Sequence, residues 1–216
     1  TVIDGAGGVV FEISGTTEHP TVIRGFTITG GGGSGLAGGL GAVIALVDSN
    51  VVIENCVITG NTDGGIRVSG GAPTIRDSVI SDNLSSQGGA GLHLLDSAAL
   101  ISNVVFSGNQ AAGLGGGILA SGGDPIVTGC TFDANTATAG GGIAWEGLGT
   151  MTVAATLFSD NSASSGSAIR SESGAGALQL DGVGVCGDAE GAISGEVIDL
   201  GPVVVGDACA DCDASG

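Results

Sequence analysis

One column of the sequence restricts the fold more than any other feature. Starting at Ile23, an aliphatic residue returns at Ile53, Ile75, Ile101, Val127, Val153 and Leu180. Five positions after each stands a second apolar residue: Ile28, Ile58, Ile80, Phe106, Phe132, Phe158 and Val185, at intervals of 30, 22, 26, 26, 26 and 27 residues. Between the two columns, at Phe26, Cys56, Ser78, Val104, Cys130, Thr156 and Val183, the strand period of two predicts a third inward position. A further strand opens after each glycine cluster, at Ile66, Leu92, Ile118, Ile143, Ile169 and Ile193. A pattern that recurs in one direction cannot be a series of hairpins. It predicts parallel stacking, with each repeat forming one triangular turn of a solenoid about 4.8 Å above the last. A single turn cannot bury its inward stripe, but stacked turns bury one another's. Residues 1–205 are therefore expected to form an all-β parallel β-helix of about seven coils of 22–30 residues, with 206–216 a Cys- and Asp-rich tail.

The corners carry their own signature. Asn61, Asn83, Asn109, Asn135 and Asn161 each lie three residues after the second column, where the first repeat has Gly31 and the last Asp188. Amides at a solenoid corner can stack in register and donate to the neighbouring turn, and Asn also tolerates the left-handed backbone that such corners need. The triple glycines 115–117 and 140–142 suit tight bends where side chains would collide. Composition agrees with strands: 45 of 216 residues are Gly, yet 42% are hydrophobic, too many for a disordered linker.

Charge narrows the partners. Four Arg and no Lys stand against 22 acidic residues, a net charge of −18. Such a surface repels nucleic acid, anionic membranes and uronic-acid polymers. No apolar run is long enough to span a membrane, so membrane insertion is not expected. Because the chain starts at Thr1, it reads as a mature or excised segment that is secreted or displayed at a cell surface.

The pairing of "FSGN" with "GGGI", "FDAN" with "GGGI" and "FSDN" with "GSAI" resembles the repeats of chlamydial polymorphic outer membrane proteins. More widely it is similar to bacterial right-handed parallel β-helix repeat proteins. The likeness covers residues 51–170 and implies a right-handed helix of a kind used by adhesins, autotransporter passengers and polysaccharide-degrading enzymes. A segment at 50–66, containing "NTD", resembles the first active-site stretch of polygalacturonase-type hydrolases, with Asp63 as the matching carboxylate. The paired Asp, Gly-His-Gly and Arg-Ile-Lys of those enzymes are absent. A lyase would need a base, for which only Arg24, Arg67, Arg76 and Arg170 could serve. Arg67 and Arg170 follow an inward Ile and are expected to face solvent, with His93, Leu119 and Ala144 between them in one column.

No catalytic, cofactor or metal residue is assigned on this reading. The acidic corners allow at most weak surface calcium binding, and one CxxC at Cys209 and Cys212 supplies only half a zinc set. Cys56 and Cys130, three turns apart, are expected to be buried thiols. Cys186 could bridge to Cys209 or Cys212, with a Cys209–Cys212 pair as the alternative. Neither end shows an obvious cap, so end-to-end stacking into filaments is one expectation. The chain thus reads as a structural or adhesive module whose partner is itself or a cell-surface glycan. A carbohydrate-active β-helix enzyme is the alternative.

Overall fold

A computed structural model describes residues 1–16, 18–33, 42–187 and 191–206. Every described strand pairing is parallel, and no helix is long and apolar enough to cross a membrane. Each turn has three faces. The first carries Val22–Arg24, Val52–Glu54 and their successors, and the second carries Thr27–Thr29 and Val57–Thr59. In two turns these faces run on as single bent strands, Thr74–Ser81 and Leu100–Ser107. The third face carries Ile44–Val47, Ile66–Ser69, Leu92–Leu95 and Ile118–Gly123.

Register follows the sequence columns. Ile53 pairs with Ile75, Ile75 with Ile101, and Ile101 with Val127, which pairs with Val153. All five are fully buried, as are Phe106, Phe132 and Phe158. The columns extend beyond the seven turns counted from sequence. Ile3 lies beside Ile28 and Phe11 beside Ile44, and Val205 lies beside Val185 at the other end. These short strands lie outside the columns that run from Ile23 to Val185. Trp145 fills the third-face column between Ala120 and Ser171, a large side chain accommodated by small neighbours, and its indole Nε1 donates to Gly176 O at 3.1 Å.

The Phe rings stack at the turn spacing, with centroids 4.8 Å apart and planes within 4° and 9° of parallel. Here the co-occurrence of Phe and triple glycine finds its cause. A Cβ on Gly117 would lie 2.7 Å from both the Phe132 ring and Gly142 O. Gly91 and Gly142 stand against Phe106 and Phe158 in the same way. Where the following turn has the smaller Val185, the position is Ala168. The last glycine of each cluster makes room for the aromatic of the next turn.

The left-handed corner is one residue earlier than expected. Asn61, Asn83, Asn109, Asn135 and Asn161 do not have positive φ; the residues preceding them, Gly60, Asp82, Gly108, Ala134 and Asp160, do, at φ 68°, 54°, 63°, 53° and 53°. The physical reason is that the Asn side chain must point inward to bond with adjacent turns, so the reversal is made by its neighbour. Several aspartates share this logic. Asp82 takes a left-handed corner, and its carboxylate stands 2.7 Å from where a Cβ on Gly108 of the next turn would be. Asp48 and Gly70, Asp96 and Gly122, and Asp160 and Gly187 repeat the arrangement.

Candidate functional site

The five Asn side chains form one continuous ladder inside the corner. The Asn109 Nδ2 donates to Asn135 Oδ1 at 2.9 Å and to Ile80 O at 2.9 Å, and the Asn109 backbone N–H donates to Asn135 Oδ1 at 3.1 Å. Its own Oδ1 accepts from both Asn83 Nδ2 and Asn83 N. The pattern begins at Gly31, whose N–H donates to Asn61 Oδ1, and runs to Asn161, whose Nδ2 donates to Phe132 O. Buried amides cost little only when their hydrogen bonds are all made, and here donors and acceptors match turn by turn. The ladder is structural: no atom of it is left over for a ligand.

Three of the four Arg residues meet acids. Arg24 and Arg76 close on Glu54 from the turns on either side, and Glu54 is only 2% exposed. Arg76 also lies 3.8 Å from Asp77, and Arg170 lies 3.9 Å from Glu172. The triad was visible in the sequence, since Arg24, Glu54 and Arg76 each follow the first inward column. These guanidiniums are not poised to act as bases.

Arg67 is different, and corrects the expectation that it faces solvent. It is 7% exposed. The loop Ser85–Gly89 folds back over the outer side of the third face and, with Asp63, Arg67 and His93, lines a half-open cleft with about 20 Å³ of room for water-sized particles. A strand residue's outward direction predicts exposure only when nothing lies outside the sheet, and this loop does. Arg67 Nη1 lies 3.1 Å from His93 Nδ1, one turn on in the same column. Among the described residues it has no carboxylate partner, and its Nε is buried without a hydrogen bond. Burial, and then the positive charge of Arg67, push the His93 pKa down to about 4, so the imidazole is neutral and Nδ1 accepts from the guanidinium. Burial also lowers the pKa of Arg67. Asp63 accepts from Gly33 N–H at 2.7 Å through Oδ2.

The remaining sequence candidates separate. Cys56 and Cys130 are buried free thiols, and desolvation pushes the Cys130 pKa up to about 11, which makes it a poor nucleophile. Cys186 is disulfide-bonded, while Cys209 and Cys212 lie outside the described residues, as does Asp188. No group of His, Cys, Asp and Glu among the described residues is arranged to hold a metal ion. A larger groove near Ala175–Leu178 and Glu196–Ile198 has Glu196 as its one titratable lining residue.

Comparison with known proteins supplies the family. A family of right-handed β-helix regions matches residues 7–184. The chain belongs to that family. Neither curated proteins nor solved structures gave a significant match. This right-handed β-helix is built by its repeat and its stacked turns.

Proposed function

We propose that this β-helix is a non-catalytic structural or adhesive module that acts outside the cell or on its surface. The observation that supports it is a run of aliphatic side chains on the outside of the sheet. On the first face Val22 is 49%, Leu100 39% and Ile126 44% exposed, and Val57 and Val105 add to the run on the second. The register sets Leu100 directly beside Ile126, and Val105 two turns from Val57. Outward aliphatics in register present a flat apolar strip to a partner. The strongly acidic remainder sets which partners are compatible: neutral glycans, apolar protein surfaces or another copy of the chain, not nucleic acid or an anionic membrane. The likeness of its repeats to those of chlamydial surface proteins supports the same reading. End-to-end contacts between copies would continue the parallel ladder past Val2–Asp4 or Val203–Gly206.

The test joins Leu100→Lys with Ile126→Lys, both outward positions whose change leaves the core intact. Binding to cultured cells and to a neutral-glycan array, and sedimentation at rising concentration, should all weaken or stay monomeric relative to the unaltered chain. Unchanged binding would remove the strip from the proposal. Release of reducing ends or unsaturated products from a polysaccharide panel would replace the module with an enzyme. Electron micrographs showing only short isolated rods at every concentration would dispose of end-to-end assembly.

A further inference from the structure

The Arg67 cavity does not belong to the apolar strip and is not explained by the repeat. A buried guanidinium stays protonated, and leaving one without a counter-charge is costly. Elsewhere among the described residues each guanidinium has a carboxylate in reach: Arg24 and Arg76 share Glu54, and Arg170, whose Nη1 is likewise buried without a hydrogen bond, lies 3.9 Å from Glu172. With 22 acidic residues in the sequence, a carboxylate partner for Arg67 would have been easy to supply, yet its nearest polar contact is a neutral imidazole. Among the described residues the one carboxylate lining the same cavity, Asp63, makes no ion pair with Arg67 and is turned to Gly33 N–H. Nε of Arg67 is left as a buried donor without an acceptor.

The size of the space decides what can fill it. A cavity needs about 10–15 Å³ to hold a water-sized particle, whereas organic ligands occupy pockets of about 300–1,000 Å³. At about 20 Å³ the space beside Arg67 takes a single small particle. The missing property is an acceptor carrying negative charge. We propose that Arg67 and His93, closed in by the Ser85–Gly89 loop, form a binding site for one monoatomic anion of the halide class, with the anion accepting the free Nε–H of Arg67. Asp63 on the cavity wall disfavours larger or more highly charged anions such as phosphate, which restricts the site to weakly hydrated monovalent ions. The anion would complete the loop's attachment to the third face and link turns that the Asn ladder does not reach on that side.

Bromide is the probe. Crystals of the unaltered chain soaked in sodium bromide should show an anomalous peak within hydrogen-bonding distance of Arg67 Nε. In solution, sodium is held constant while chloride is exchanged for gluconate, which is too large for the cavity. The unaltered chain should melt several degrees higher in chloride, and Arg67→Gln should show no anion difference. The chain has only two His residues, so imidazole resonances give a readout that needs no variant: chloride should raise the apparent pKa of His93 and leave His19 unmoved. An ordered water with no anomalous signal, or equal melting in both anions, overturns the proposal. A bromide peak without any anion effect on melting or on His93 also overturns it, as an adventitious ion only.

Discussion

Two columns that carry buried polar side chains run along this helix, and they differ in how those side chains are satisfied. In the corner, Asn61 to Asn161 repeat one residue type, and each amide from Asn61 to Asn135 finds its partners in the turns before and after. On the outer side of the third face the corresponding column reads Ala45, Arg67, His93, Leu119, Ala144 and Arg170, with no residue type repeated from one turn to the next, and it contains two buried donors, Arg67 Nε and Arg170 Nη1, that no described residue accepts. Repetition makes a buried polar group cheap because one solution serves all turns. Departure from repetition leaves chemistry unspent, and that is where a solenoid can carry something other than its own stability.

Substituting Asn109→Asp attacks the repeated column and should have the largest effect. A carboxylate there turns the donors to Ile80 O and Asn135 Oδ1 into oxygen–oxygen contacts and buries a charge. Urea unfolding should register a loss of about 3–5 kcal/mol, the scale for an uncompensated buried charge. A loss below about 1 kcal/mol would mean that the ladder is not what secures the turns. The next effect belongs to the other column. His93 has a folded pKa of about 4, below the ordinary 6.5, so between those values the unfolded chain takes up a proton that the folded chain refuses. Stability is therefore full above pH 6.5, falls as the pH drops toward 4, and gains no further loss from this group below that. The drop has an upper scale of about 3 kcal/mol. Comparing unfolding of the unaltered chain with His93→Gln across this window isolates it from the many carboxylates that titrate alongside. Parallel curves for the two proteins would show that His93 is not buried against Arg67.

Gly117→Ala sharpens the comparison within the repeated half of the molecule. The added methyl meets the Phe132 ring and Gly142 O, so a loss of about 1–3 kcal/mol is expected in thermal or urea unfolding. Adding Phe132→Leu should recover part of it, since the ring contact goes while the carbonyl contact stays. A double variant no more stable than the sum of its parts would deny the coupling of aromatic and glycine.

How much of this could be read beforehand depends on the same distinction. The inward columns from Ile23 to Leu180 were legible because burial enforces the period, and the Asn column because an amide ladder needs identical residues in register. The positive-φ residue was misplaced by one position, because Asn is common both inside ladders and in left-handed corners and the sequence alone does not separate the two uses. Arg67 was misread because strand alternation places a side chain outside its sheet but says nothing of a loop folding over that side. Arg67 and His93 were nevertheless 26 residues apart in one column, and that spacing already put them side by side.

The smallest expected effect is the most discriminating. Arg67→Met, measured in gluconate with sodium held constant, removes a buried charge that has no carboxylate partner, and replaces it with an apolar chain of similar reach. Such exchanges range from neutral to stabilising, so the unfolding free energy should change by no more than about 1 kcal/mol, and the sign can favour the variant. In chloride the balance should tip toward the unaltered chain, because only it gains from the ion. If Arg67→Met instead costs as much as Asn109→Asp in both anions, the guanidinium is as fully engaged as the Asn ladder, and the contrast between the two columns fails at its root.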